Sequence, residues 1–344
     1  MRTAVIGGGI AGALLSHRLR QSAGRPDLTV FAGPAGYPAD ATFASGGMVR
    51  GFAPDAEQGR LAAESLAELY ASAWLRQAGD YRETGSVHLL RPGADPAGAV
   101  ARLNGLLPGS AATETSAELA RRLALRGLPD GALAVVERRA GYLSPALLRS
   151  CVLDDLTGPG VTISGAEVRR VTTDGEVLLA DGSSAAFDTV VVAAGAWTPG
   201  LLPGLTGLRA RRVQYGVHPF AMPGLGVFAD DNTGLYGRPH GSGALLLGQD
   251  ADDGDVTPGE VRPDPRLAAR AAATARRLLP AGRPLPAARW LRASFDCYSA
   301  SGVLRLRPVP GAARVFTFTG GSGTAAKTAL AASRRAATDL LALA

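Results

Sequence analysis

The sequence has a single lysine, two cysteines, four histidines and no long apolar run, and each shortage excludes something. Two cysteines, Cys151 and Cys297, cannot build a disulfide framework or a zinc site. The histidines (His17, His88, His218, His240) show no metal-ligand spacing, and no Ser-His-Asp or paired-carboxylate arrangement is visible. His17, on the first helix, and His88, in a strand, read as structural, and no metal is expected. No stretch of 18 apolar residues occurs, and no charged and apolar leader pattern precedes the first strand. The expectation is a cytoplasmic protein with no membrane partner. The net charge of +6 raises the question of nucleic acid. The arginines (Arg18, Arg20, Arg121, Arg122, Arg276, Arg277) are scattered, with no basic run interleaved with aromatics, so no nucleic-acid partner is expected.

What is present suits an enzyme. A chain of 344 residues, 46% hydrophobic and 19% charged, has ample core for two lobes or one large α/β body. Residues 3–7 form a short apolar strand, followed by Gly7-Gly8-Gly9-Ile10-Ala11-Gly12, a helix over 13–21 and a second strand at 28–31. This is a βαβ unit with G-x-G-x-x-G at its first turn. In such a turn the glycines let the backbone approach a pyrophosphate and let helix pack on strand, while the helix N-terminus favours the anion. The acid expected at the end of the second strand is missing, since Ala32 follows Phe31. The ribose must therefore be held by backbone, water or a neighbour.

Further along, the pattern predicts a helix over 55–78 and a strand at 84–91. It also predicts a helix over 114–126 and one opened by Ser144-Pro145. Strands follow at 161–163, 167–171 and 176–179, with a hairpin turn at Asp181-Gly182, then a buried strand over 190–195. Residues 211–250 hold several strands, 264–279 a helix, and a last strand at 314–319 runs through Gly320-Gly321-Ser322-Gly323 into a helix over 324–342.

The run Val190 to Gly195 with Ala196-Trp197, together with the N-terminal turn, Ser45-Gly46-Gly47-Met48, Tyr142 to Leu148, Tyr236-Gly237-Arg238-Pro239 and the C-terminal glycine turn, resembles the FAD-dependent D-amino-acid oxidase/glycine oxidase superfamily. Within it the chain is most similar to monomeric sarcosine oxidase-like amine and amino-acid oxidases. The resemblance covers nearly the whole chain. It implies an α/β fold in which an FAD-binding Rossmann-like lobe, with a doubly wound, mostly parallel sheet, is joined to a substrate lobe with a large antiparallel sheet. Residues 1–80, 141–210 and 300–344 would form the first lobe, and 81–140 and 211–299 the second. The cofactor implied is FAD, contacted by Gly7, Gly9, Ile10, Ala11, Gly12, Ser45, Gly46, Gly47, Met48, Val168, Ala194, Gly195, Trp197, Gly321, Ser322, Gly323, Thr324 and Lys327.

The resemblance also implies the reactive residues. Lys327 and Arg50 would bind a substrate carboxylate and Tyr236 would line the cavity; backbone amides of 321–324 would face the flavin pyrimidine edge. Two departures stand out. Leu246 occupies the place of the lysine that promotes reaction with oxygen, and Asp250 that of a histidine, so the acceptor is oxygen or another compound and the substrate is not sarcosine. The family attaches its flavin through a cysteine two residues before a tyrosine. Cys297 precedes Tyr298 by only one, which makes it a candidate for a covalent link that the alternation of a strand opposes.

The implied reaction is oxidation of the C–N bond of a small carboxylate-bearing amine or amino acid, by hydride transfer to flavin N5, giving an imine. A tailoring role in secondary metabolism fits the same pattern. The alternatives are a flavin dehydrogenase of a 2-hydroxy acid and a flavin-binding protein without turnover.

Overall fold

In the computed structural model all residues are described except 25, 34–39, 251–255, 257, 260, 261, 281 and 344. The strand Arg2–Ile6 lies between Asp27–Phe31 and Thr189–Val192, parallel to both. Val161–Ser164 extends the sheet beyond Asp27–Phe31, and Val315–Thr319 extends it beyond Thr189–Val192. Arg305–Pro308 closes the edge as the one antiparallel strand of the six. The chain leaves Arg2–Ile6 toward one side of the sheet and returns from the other, so the carboxyl ends of Arg2–Ile6 and Thr189–Val192 open a crevice suited to a ligand.

Strand alternation explains why both faces of this sheet are covered. Val5, Val30 and Val191 point into a core shared with the helices Ile10–Gln21, Ala56–Ala71 and Ala325–Ala342. Ala4, Ile6, Val190 and Val192 point the other way, against Val171, Val177 and Phe187 around a small three-stranded sheet. The helix expected over 55–78 is two helices, Ala56–Ala71 and Ala73–Ala78. Ser72 interrupts it because its side chain accepts from the Leu75 amide and caps the second helix. As expected, Ser144 caps the helix Pro145–Asp155.

A second sheet of eight strands runs in the order Trp290–Ser299, Leu208–His218, Ala244–Gln249, Leu235–His240, Val227–Asp230, Ser86–Leu89, Leu133–Glu137, Ala111–Thr115. Its pairs are antiparallel except Val227–Asp230 with Ser86–Leu89. Alternation again sorts its side chains. Val87, Leu89, Leu235, Leu245 and Leu247 build a core with buried residues of the helices Ser116–Leu123 and Pro265–Leu278. The intervening residues, among them His88, Tyr236, Arg238 and Leu246, occupy the opposite face, where the register sets Ala229 beside both His88 and Tyr236, and Arg238 beside Leu246. The architecture is thus α/β, with a mostly parallel Rossmann-like sheet and a large antiparallel one. No helix among the described residues is long and apolar enough to cross a membrane.

Candidate active site

The crevice at the strand ends is a cavity of about 500 Å³, lined from Phe31, Ala32 and Val168 at one end to Phe318, Gly321 and Ala326 at the other. Its floor is the first glycine turn. Gly7 has φ +116°, and a side-chain carbon there would sit 2.5 Å from the Ala193 carbonyl oxygen. Gly12 lies outside the cavity but lets the helix sit on the turn, since a Cβ there would be 2.0 Å from the Gly7 oxygen. The first amides of a helix have no partner within it. The Ile10 amide donates to Thr42 Oγ1 at 3.0 Å, and Ala11, with the next one, lines the cavity beside Gly9. Where the ribose-binding acid is missing at Ala32, Glu167 and Arg169 line the wall around Val168. Ala194, Gly195 and Trp197 line it too. Two glycine turns and a helix N-terminus around the crevice fit a dinucleotide, with Arg149 and Arg169 also in the wall.

At the other end the second glycine turn is arranged differently from the sequence expectation. The Ser322 amide donates to the Cys297 oxygen at 3.0 Å, Gly323 to Asp296 Oδ2 at 2.8 Å, and Thr324 to the Gly321 oxygen at 2.9 Å. Three of the four amides expected to face the flavin are therefore engaged within the protein. The side chains of Ser322 and Thr324 likewise turn inward, Ser322 Oγ accepting from the Ser299 amide and Thr324 Oγ1 donating to Gly321. At the start of the last helix, Ala325 and Ala326 line the cavity along with Gly321 and Gly323. Cys297 is buried and absent from the lining, whereas its neighbour Asp296 is part of it. Successive strand residues face opposite ways, so the one-residue shift turns the thiol away.

Arg50 and Lys327 meet in a buried cluster on the sheet face. Arg50 is 8% exposed and Lys327 7%. Arg50 Nη1 donates to His88 Nδ1 at 2.7 Å, which fixes the imidazole proton on Nε2, and that N–H donates to Asp231 Oδ1 at 2.7 Å. Burial, with the Arg50 charge second, brings His88 down to about 4, so it is neutral at pH 7. Glu137 is buried behind them and accepts from the Gly51 amide at 2.7 Å, the Phe52 amide at 3.3 Å and Ser86 Oγ at 3.0 Å. Burial, then the charge of Arg50, lowers Lys327 to about 7, against the opposing pull of Glu137 and Asp231. The Lys327 ammonium makes no hydrogen bond among the described residues, and Arg50 Nε is buried without a partner. Arg50 and Lys327 thus carry donors that the described residues do not use, with Glu137 and Asp231 near enough to offset their charge, and neither side chain is in the wall of the long cavity.

Tyr236 lies on the same sheet face two strands from His88, with Ala229 between them, and its ring fills the space over Gly248. Its hydroxyl donates to the Gln214 oxygen at 3.1 Å and burial pushes its phenol up, so the side chain shapes the site and has no proton to give. Leu246 is fully buried, and its methyls lie 3.7 Å from where a Gly46 side chain would begin. Gly47 has φ +64°, and a Cβ there would be 1.9 Å from the Leu143 oxygen. Gly46, Gly47 and Met48 therefore support the site from outside the long cavity, while Ser45 is in its wall.

His88 and Asp231 were not distinguished by the sequence pattern. His88 reads as a strand residue in an apolar run, and nothing local shows that residues 50 and 231 come to either side of it. His17 does prove structural, stacked on Trp74 and 3.0 Å from Asp155.

Residues 2–338 match the family model described as FAD dependent oxidoreductase. No curated protein matches the chain. Among solved structures it is similar to L-proline dehydrogenase from P. horikoshii, with a TM-score of 0.80 at 17% identity over 98% of this chain and 92% of that one. Glycine oxidase from Bacillus cereus ATCC 14579 superposes at a TM-score of 0.73 with 16% identity, over 99% and 95% of the two chains. Iminodiacetate oxidase from Chelativorans sp. BNC1 does so at 0.73 with 20% identity, over 99% and 95%. At these identities the likeness is one of fold.

Proposed function

The chain belongs to the FAD dependent oxidoreductase family, and from that premise we propose that it oxidises the C–N bond of a small amine or amino acid that carries a carboxylate. The observation that carries this reading is the pair of buried cations, Arg50 and Lys327, whose donors are incompletely used. FAD, when bound, accepts the two electrons and the hydrogen that leave the substrate carbon.

The residues of the chain do the rest. Arg50 and Lys327 hold the substrate carboxylate and so fix which carbon faces the cofactor. His88, neutral and tied to Asp231, keeps the Arg50 guanidinium in place without adding charge. Tyr236 and Leu246 wall the site and exclude water. The cofactor is held by the glycine turns at 7–12 and 320–323, by Ser45, Val168 and the Ala194–Trp197 segment, and by the amides of Ala325 and Ala326. Cys297 forms no covalent link in this reading. In the same reading residues 1–80, 141–210 and 300–344 are the cofactor lobe and 81–140 and 211–299 the substrate lobe. In support, every strand of the parallel sheet falls in the first set and, apart from the start of Leu208–His218, every strand of the eight-stranded sheet in the second.

Leu246 brings no charge beside Gly46, where the guanidinium that approaches is that of Arg238, and the oxidant is oxygen or another acceptor. Mixing the purified holoenzyme with amines, amino acids and 2-hydroxy acids in the absence of oxygen tests the reading. Bleaching of the flavin by a carboxylate-bearing amine supports it, and bleaching by hydroxy acids alone overturns it.

A further inference from the structure

A second cavity, of about 600 Å³, opens next to the long one and shares Thr42, Ser45 and Pro145 with its wall. None of the cofactor and carboxylate contacts proposed above requires it. Its sides are aromatic, with Tyr142, Tyr215 and Trp290, and its charge comes from Arg238 and Arg292. The register explains the arrangement: Tyr215 lies directly across from Arg292 on neighbouring strands.

Both guanidiniums lie against aromatic rings. Arg238 lies 4.1 Å above the Tyr142 ring, with Nε donating to the Gly46 oxygen at 2.5 Å and Nη1 to the Pro239 oxygen at 2.8 Å. Arg292 lies 4.5 Å above Phe43 and 5.3 Å from Trp290, with Nη1 donating to the Phe43 oxygen at 3.3 Å and the guanidinium also hydrogen-bonded to the Tyr215 hydroxyl. Neither has a carboxylate partner among the described residues. The acid in the wall, Asp80, is paired with Arg82 at 2.8 Å. The positive potential is felt by His240, whose pKa is lowered by burial first and then by Arg238 and Arg292. Half-buried arginines without counter-charges are costly unless something anionic completes them, and a planar guanidinium suits a planar carboxylate. Aromatic walls add a preference for a flat ring.

We propose that this pocket is a second anion site, which takes the carboxylate of an aromatic or heteroaromatic acid between Arg238 and Arg292 and its ring against Tyr215 and Trp290. Because it shares a wall with the cofactor crevice, its ligand sits at the mouth of the candidate active site. The proposal is argued from the pocket's own residues and does not depend on which substrate is oxidised.

Calorimetric titration of the holoenzyme with benzoate tests it, with benzyl alcohol and inorganic phosphate as comparison ligands and the flavin spectrum recorded alongside. In Lys327→Met, where the site beside the flavin is weakened, benzoate is still expected to bind without shifting the flavin band, and Arg292→Gln in that background is expected to weaken this binding at least tenfold. Trp290→Ala, at a partly exposed position, is expected to weaken binding as well and decides the matter if Arg292→Gln does not fold. Absence of binding overturns the proposal. So does equal binding of benzyl alcohol or phosphate, or binding that is lost in Lys327→Met and kept in Arg292→Gln and Trp290→Ala.

Discussion

Arg50 Nη1 and His88 Nδ1 are 2.7 Å apart in a site closed to solvent, so a residue in the interior of a strand decides where the site's main cation points. Replacing His88 by Leu leaves that guanidinium hydrogen without an acceptor, which costs on the order of 1–3 kcal/mol. The wild-type contribution also has a pH signature. His88 titrates at about 4 in the fold against an ordinary 6.5, so between those values the unfolded chain takes up a proton that the fold refuses. Stability associated with His88 is full above pH 6.5 and lost as pH falls toward 4, by roughly 2 kcal/mol at pH 5. Melting temperatures of wild type and His88→Leu at pH 7 and 5 check both: the variant melts lower at pH 7 and loses less on acidification.

Lys327 should make carboxylate binding depend on pH near neutrality. With its ammonium brought down to about 7, the free protein loses that charge as pH rises through 7, and a bound carboxylate restores it. The affinity of acetate, read from the flavin difference spectrum, is expected to fall by up to about tenfold per pH unit above 7. In Lys327→Met the affinity at pH 6.5 is expected to be about 10–100-fold weaker, as for a lost charge-assisted hydrogen bond, and flat with pH. A pH profile unchanged in the variant would remove Lys327 from the anion site.

The glycines of the first turn are not equivalent. A methyl group on Gly12 would overlap the Gly7 oxygen at 2.0 Å, which pushes the helix off the strand. One on Gly9 would meet Thr42 Oγ1 at 3.3 Å, a contact that a small shift relieves. Gly12→Ala is therefore expected to purify colourless or fail to fold, and Gly9→Ala to retain flavin with reduced affinity. The ratio of flavin to protein absorbance after gel filtration distinguishes them.

Cys297→Ser is expected to leave the cofactor content unchanged. Acid precipitation of wild type and variant should release yellow colour to the supernatant in both, because the thiol lies outside the cavity wall that Asp296 joins. A yellow wild-type pellet that turns white in the variant would show that Cys297 holds the flavin covalently.

Local pattern made much of the fold legible. The strand Arg2–Ile6, its glycine turn and the cap at Ser144 are all written in contiguous residues. What escaped depends on distance along the chain. The helix Ala97–Leu106 and the strands Ala111–Thr115 and Leu133–Glu137 carry no strong period; the strands are defined by pairing, Leu133–Glu137 with Ser86–Leu89 and Ala111–Thr115 with Leu133–Glu137. Arg50 and Lys327 were visible through a family resemblance, whereas His88 and Asp231 matter only because three separate segments converge. The second glycine turn is recognisable in the sequence, but its pattern alone points the amides outward. Asp296 and the Cys297 carbonyl, which claim two of them, come from a strand that a turn motif says nothing about.

The central claim is that Arg50 and Lys327 hold the carboxylate of an amine substrate beside the flavin. Stopped-flow reduction without oxygen, comparing the best amino-acid substrate with its carboxamide, tests this most directly. The acid should bleach the flavin at least 100-fold more efficiently than the amide in wild type, with most of that advantage lost in Lys327→Met. Equal efficiency for acid and amide in wild type would contradict it.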